Sequence, residues 1–84
     1  MHELLLERGA EKDLDRLAPD LFERVMRAIR GLSEAPRPPG SLKLTGPGGG
    51  RRIRVGDYRI IYEINERARE VRIIRVRHRR EVYR

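Results

Sequence analysis

Cysteine and tryptophan are absent from this sequence of 84 residues, and only 5% of its residues are aromatic. Without cysteine the chain has no disulfide scaffold, no zinc–thiolate site and no thiol nucleophile, and its two histidines add little toward a metal site. No apolar run approaches the ~18 residues of a membrane span, and the N-terminal segment MHELLLERGAEKD is too acidic for a signal peptide. We therefore expect a soluble cytoplasmic protein with no membrane partner, no bound metal and no cofactor.

Lysine is also scarce, because only Lys12 and Lys43 among the 20 basic residues are lysine and the rest are arginine. The net charge is +7, but residues 1–42 hold 7 basic and 8 acidic side chains, whereas residues 43–84 hold 13 and 5. A GC-rich genome explains arginine in place of lysine, but it does not explain the concentration of charge in one half. Arginine binds phosphate through a planar fork of donors. The pattern therefore predicts a polyanionic partner, most commonly nucleic acid.

A chain of this length supports one domain, residues 1–84, with a small core. The apolar run in residues 3–7 predicts a first strand, and Leu14 and Leu17, one turn apart, predict a helix over residues 10–17. Pro19 suits the first turn of a second helix. Its apolar residues follow helical spacing: Leu21, Phe22, Val25, Ile29 and Leu32.

The second half of the chain predicts strands. Half of residues 33–50 are Gly or Pro, which excludes a long helix or strand there, although Leu42 and Leu44 are expected to anchor the segment to the core. Three strands follow over residues 51–55, 58–64 and 71–77, the first two joined by a Gly56-Asp57 hairpin turn of type II′. The order β-α-α-β-β-β predicts an α+β fold: an antiparallel-rich sheet of about four strands with a two-helix hairpin packed on one face.

The alternation of side chains along these strands predicts which face of the sheet carries the positive charge. Tyr58, Ile60, Tyr62 and Ile64 share one face of their strand, and the two helices can cover only that face of the sheet. The open face should then carry arginines from three strands, a candidate phosphate-binding surface in preference to a merely solvated one. The candidate phosphate-binding residues are Lys43, Arg52, Arg54, Arg59, Arg75, Arg77, Arg79 and Arg80.

Two residues near the C-terminus could do more than bind. His78 is the side chain there with an intrinsic pKa near neutral, so it is a candidate general base. Strand parity instead places it on the side of Ile74 and Val76, where a structural or capping role is equally reasonable. Tyr83 could act as an acid or base, stack on a nucleobase, or close the core.

The run RRIRVGDYRIIYEI (residues 51–64), followed by VRHRREVY (residues 76–83), resembles the RelE branch of the RelE/ParE toxin superfamily. These proteins are the toxins of bacterial and archaeal type II toxin–antitoxin modules. The resemblance covers nearly the whole chain and implies a RelE-like microbial RNase fold. Leu14, Leu17, Pro36 and the segment 42–44 also fall where the family has similar residues.

The resemblance implies a metal-independent mRNA interferase, a ribosome-dependent endoribonuclease that cuts mRNA in the A site and inhibits translation. In the family the ribose 2′-OH attacks the adjacent phosphate and leaves a 2′,3′-cyclic phosphate. Carried over by position, Arg59 and Arg79 stabilise the pentacoordinate phosphate, and Tyr83 stacks on the base or takes the proton. The implied partners are the ribosome, mRNA and a cognate antitoxin whose acidic or amphipathic segment wraps the toxin; operator DNA is bound only through the antitoxin.

Some residues depart from the family pattern. The family positions matched by Arg52 and Arg54 are often lysine, and arginine is a poor proton acceptor because its pKa exceeds ~12. A base would then have to be His78 or Tyr83. The alternatives are a ParE-like inhibitor of DNA gyrase without nuclease activity, an inactive RNA-binding member of the same fold, and a plain nucleic-acid-binding module.

Overall fold

The computed structural model describes residues 1–45 and 50–82. Its elements follow the predicted order, with one added strand and one added short helix. They are β1 (Glu3–Leu6), α1 (Arg8–Asp15), α2 (Pro19–Glu34), β2 (Leu42–Lys43), β3 (Arg51–Val55), β4 (Tyr58–Asn65), β5 (Glu70–His78) and α3 (Arg79–Val82).

The strands form one five-stranded sheet in the order β1-β5-β4-β3-β2. The pairs β2–β3, β3–β4 and β4–β5 are antiparallel, whereas β1 lies parallel to β5. The α+β fold and the antiparallel-rich sheet are therefore confirmed. The expected number of about four strands was one short, because β2 has only two residues and lies in the segment rich in Gly and Pro.

The core lies between the sheet and the two long helices. Pro19 is in the first turn of α2, as predicted, and Val25, Ile29 and Leu32 of that helix are buried. On β4, Ile60 and Tyr62 are fully buried, which confirms the predicted alternation and the face that the helices cover. Among the side chains that the structure describes, the buried ones are those of Ala10, Leu14, Val25, Ile29, Leu32, Ile53, Ile60, Tyr62, Val71, Ile73 and Val76.

The β3–β4 hairpin turns at Gly56-Asp57, where Gly56 has φ +59°. This is the left-handed backbone that the two-residue turn requires and that glycine adopts without strain. The turn therefore fixes the register that sets Arg54 opposite Arg59 and Val55 opposite Tyr58.

The last strand does not keep one alternation. In the β4–β5 register Tyr62 pairs with Ile73 and Ile61 with Arg75, so Ile74 is an extra residue in a β-bulge. Val71 and Ile73 are buried before the bulge and Val76 after it. The expectation that Ile73, Arg75 and Arg77 share one face was wrong, because the bulge moves the odd-numbered residues to the other side.

The segment between α2 and β3 is attached by a side chain of the sheet. The Tyr62 hydroxyl donates a hydrogen bond to the Pro36 carbonyl at 2.7 Å. Leu44 is half-buried, but Leu42 is 53% exposed and does not anchor the segment as predicted. In the described residues no helix is long and apolar enough to cross a membrane.

Candidate nucleic-acid interface

Three arginines lie in register across the open face of the sheet. Arg54 of β3 is directly opposite Arg59 of β4, which is directly opposite Arg77 of β5. Directly opposed residues point to the same face, and like charges at such positions repel. We call these three residues the arginine row. An anion such as an RNA phosphate would relieve the repulsion between them.

A shallow cavity of about 130 Å³ lies at the hairpin end of this row. We call it the arginine cleft. It is lined by Arg54, Gly56, Asp57, Tyr58, Arg59 and Arg79. The fold thus brings Arg79 of α3 to the hairpin arginines Arg54 and Arg59, and so unites Arg59 and Arg79, the two residues predicted to stabilise a phosphate.

Arg79 reaches the cleft because the start of α3 is attached to the β3–β4 turn. Its backbone N–H donates to the Asp57 carbonyl at 2.7 Å, and its guanidinium lies 3.9 Å from the Asp57 carboxylate. Both side chains are about two-thirds exposed, so the ion pair itself is weak. The backbone bond therefore positions Arg79, and its side chain stays available at the cleft.

His78 packs away from the arginine row. Its ring stands edge-on to Tyr58, with centroids 5.2 Å apart and planes at 88°, and its Nδ1 accepts the Arg80 N–H at 3.2 Å. His78 is not among the described residues that line the cleft. The geometry gives His78 the capping role that strand parity allowed.

The other predicted residues lie in several places. Arg52 is opposite Ile61, so it shares the open face one step along from the row. Lys43 is opposite Arg51, itself opposite Tyr62, so it lies on the helix side and the fold separates it from the row. Arg80 is exposed in α3, and Tyr83 lies outside the described residues.

Arg75 makes a different contact from the one predicted. Its guanidinium binds both carboxylate oxygens of Asp13 in α1, at 2.8 and 3.1 Å. Burial alone would raise the pKa of Asp13, but hydrogen bonds from Arg75 and Val76 and the charges of Arg75 and Arg77 hold that pKa below its usual value. The structure thus gives Arg75 a structural partner, Asp13. The role of Arg75 as a phosphate ligand stays a prediction.

A fourth arginine beside the cleft could not be predicted from the sequence. Arg24 of α2 lies next to the hairpin turn, since a Cβ built on Gly56 would be 3.5 Å from an Arg24 guanidinium nitrogen. Helical spacing places Arg24 on the polar side of α2 but gives no sign of this contact, which exists only once α2 has packed on the sheet.

A second cavity lies at the opposite end of the sheet. A cavity of about 330 Å³ at the β4–β5 turn is lined by Glu63, Ile64, Asn65, Glu66, Glu70 and Arg72. Residues 1–45 and 50–82 contain no cluster of three His, Cys, Asp or Glu side chains that could hold a metal ion.

The sheet order and the basic open face are those of a small α+β domain, and the sequence matches a known family over most of its length. Residues 4–83 match the family described as the ParE toxin of the type II toxin–antitoxin system, parDE. The chain belongs to this family, within the RelE/ParE superfamily, and is the toxin component of a type II toxin–antitoxin system. No characterised protein sequence matches it significantly.

Solved structures of RelE toxins share the fold. The chain is similar to the toxin of the archaeal RelE–RelB complex from Pyrococcus horikoshii OT3, at 26% identity and a TM-score of 0.83, covering 93% of this chain and 94% of that one. It is also similar to the RelBE2 complex from Mycobacterium tuberculosis, at 28% identity and a TM-score of 0.81, covering 92% of this chain and 96% of that one. The isolated E. coli RelE toxin is 25% identical with a TM-score of 0.81, and the match covers 99% of this chain and 92% of that one. The RelE-like fold expected from the sequence is therefore confirmed.

Proposed function

We propose that this toxin is a ribosome-dependent endoribonuclease that cleaves mRNA in the ribosomal A site, in the cytoplasm. The observation that carries the proposal is the arginine cleft, where Arg54, Arg59 and Arg79 converge on one small cavity. The cavity is shallow and lies on an open sheet face, so the protein alone offers little to orient RNA. A ribosome would present the mRNA strand and cover the cleft.

The chemistry needs stabilisation of charge more than a covalent partner. When the ribose 2′-OH attacks the adjacent phosphorus, a bond forms to the 2′ oxygen and negative charge grows on the two non-bridging oxygens. The bond to the 5′ oxygen then breaks, leaving a 2′,3′-cyclic phosphate and a 5′-OH. Guanidinium groups of Arg59 and Arg79 would donate to the non-bridging oxygens, with Arg54 and Arg52 binding neighbouring phosphates.

The proton of the 2′-OH would pass to Tyr83 as phenolate, a form that the guanidinium groups of the site would favour, or to His78 as the second candidate, and the 5′ oxygen would take a proton as it leaves. Arginine is a poor base because it stays protonated at neutral pH. A base role for His78 would have to use Nε2, since Nδ1 accepts the Arg80 N–H. Replacing His78 with Asn, which can still accept that N–H, would separate its capping role from a chemical one.

The cognate antitoxin would oppose this activity by covering the open face. Solved structures with the same fold are complexes of RelE with RelB. Because the arginine row and cleft are basic, we propose that an acidic or amphipathic antitoxin segment wraps the toxin and neutralises this surface. Any binding of operator DNA would then come through the antitoxin.

The test is to map mRNA 5′ ends by primer extension in a translation extract that contains the toxin. We expect cuts inside codons that depend on translation. Arg59→Ala and Arg79→Ala should each lower cleavage at least about tenfold, because each removes a donor to the developing charge. Both positions are outside the buried core, so the fold should be retained.

Arg16→Ala and Arg67→Ala are matched controls, because both arginines are exposed and neither lines the cleft. They should cleave like the wild type. Wild-type cleavage by the Arg59 and Arg79 variants would refute the site assignment. If mRNA stays intact under translation, the nuclease proposal fails.

The second candidate is inhibition of DNA gyrase without cleavage, and the match to the ParE family model favours it. It does not require Arg59 and Arg79 to act together on a phosphate. A plasmid supercoiling assay with purified gyrase separates the two. Loss of supercoiling with intact mRNA, unchanged by Arg79→Ala, would establish the gyrase inhibitor.

A further inference from the structure

Asp13 of α1 binds β5, the strand that carries Arg77 of the arginine row. It accepts from Arg75 through both carboxylate oxygens and from the Val76 backbone N–H at 2.9 Å. Its side chain is only 10% exposed. We call this set, Asp13 with Arg75 and the Val76 N–H, the Asp13 clamp.

The clamp lies where β5 loses its neighbouring strand. β1 pairs with β5 only as far as Ile73, and the Glu7 N–H donates to the Ile73 carbonyl at 2.9 Å. Beyond that point α1 covers the edge of β5. A buried N–H on such an edge needs an acceptor, and Asp13 supplies one for Val76.

The clamp also follows the β-bulge directly. Ile74 is the extra residue, and Arg75 and Val76 are the next two. Because side chains alternate along a strand, removing the bulge would send every following side chain to the other face. Arg77 would then face the core instead of lying opposite Arg59.

Two residues of α1, Gly9 and Asp13, leave space for Arg75 and bind it. A Cβ at Gly9 would lie 3.3 Å from the Arg75 Nε and 2.9 Å from its Cδ, and the shorter of these distances is one that real contacts essentially never show. Gly9 and Asp13 are four residues apart, on the same face of the helix. A residue without a side chain thus lets Arg75 cross the helix, and an acid one turn later binds it.

We infer that Asp13 is a positioning residue: by clamping β5 just after the bulge, it holds Arg77 on the open face opposite Arg59 and sets the start of α3, where Arg79 reaches the cleft. This inference rests on the proposed nuclease function for its activity readout. Neither Asp13 nor Arg75 lines the cleft, so both act through other residues.

The experiment measures kcat and KM for cleavage of mRNA on programmed ribosomes. Asp13→Asn keeps the size of the side chain and an acceptor for Val76 but removes the charge that binds Arg75. We expect kcat to fall about tenfold because Arg77 and Arg79 would be misplaced, and we expect KM to change less than about twofold. Arg75→Lys, which retains one charged contact, should fall between the wild type and Arg75→Met.

Glu7→Gln is the matched control. Glu7 forms the ion pair with Arg72, at 3.7 Å, which also ties the N-terminal half to β5 but lies before the bulge. The Glu7→Gln variant should leave kcat unchanged. If Asp13→Asn keeps full kcat while Arg75→Met loses it, Arg75 is a direct RNA ligand and the inference is overturned.

A readout independent of activity separates this inference from the proposed function. In NMR spectra, the Nε–Hε signals of Arg77 and Arg79 should move in Asp13→Asn and stay in place in Glu7→Gln. If the wild type cuts no mRNA, the nuclease proposal fails while these shifts still support the positioning role. Unmoved arginine signals in Asp13→Asn would overturn the inference whatever the activity.

Discussion

Replacing two helical glycines by alanine should have opposite effects on stability. In an exposed helix interior, alanine is favoured over glycine by about 1 kcal/mol. A Cβ added to Gly31 in α2 would meet no heavy atom within 4 Å beyond the backbone of its own helix, so Gly31→Ala should raise the free energy of unfolding by about 0.5–1 kcal/mol. For a domain of this size, 1 kcal/mol corresponds to roughly 4–8 °C in Tm.

Gly9→Ala should instead destabilise the protein. The new methyl group would lie 2.9 Å from the Arg75 Cδ, so Arg75 has to leave Asp13 or α1 has to move away from β5. Hydrogen bonds to charged groups contribute about 1.5–3 kcal/mol, and the helix gains at most about 1 kcal/mol from alanine. The net loss is therefore about 0.5–2 kcal/mol, or a Tm lower by at least about 2 °C.

The assay is thermal and urea unfolding of the wild type and both variants, followed by circular dichroism. Equal m-values would show that each variant unfolds from a similarly compact state. A rise in Tm for Gly9→Ala as large as that for Gly31→Ala would refute the reasoning, because it would mean that the Asp13 clamp contributes nothing to stability.

Three more outcomes are expected. Tyr62→Phe leaves the Pro36 carbonyl without its donor and should lower the free energy of unfolding by about 1–2 kcal/mol, measured by urea titration. The pKa of Asp13 is lowered on folding, so its contribution is present above the ordinary value of 3.8 and is lost as pH falls below it. The stability difference between wild type and Asp13→Asn should hold from pH 7 to about 4 and shrink at pH 3, whereas an unchanged difference would contradict the clamp's ionic character. Single-stranded RNA binding should weaken with salt, and Arg54→Gln should reduce the log–log slope by about 0.7, whereas Arg67→Gln should not.

The parts of the fold that depend on local pattern could be predicted from the sequence. Alternation on β4 identified Ile60 and Tyr62 as core, and Gly56-Asp57 identified the hairpin. These features need only neighbours a few residues apart. Arg54 and Arg59 followed as cross-strand partners, since a two-residue turn fixes their register.

The bulge and the clamp could not be predicted in this way. Ile73 and Ile74 are both apolar, so the sequence does not show which is the extra residue. The acceptor that fixes the strand after the bulge, Asp13, comes from 63 residues away along the chain. Arg75 has the same side chain as the open-face arginines, and only the packing of α1 on β5 distinguishes it from them.

The parallel pairing of β1 with β5 has a consequence for how the protein is made. The first strand of the sheet hydrogen-bonds to the last, so the sheet cannot close until residues 70–78 have been synthesised. Contacts between such distant segments carry a large loop-closure cost and slow folding. The arginine row depends on the same strand, since Arg77 comes from β5. A nascent chain that lacks β5 therefore has no assembled phosphate-binding row, and the row forms only at the end of folding.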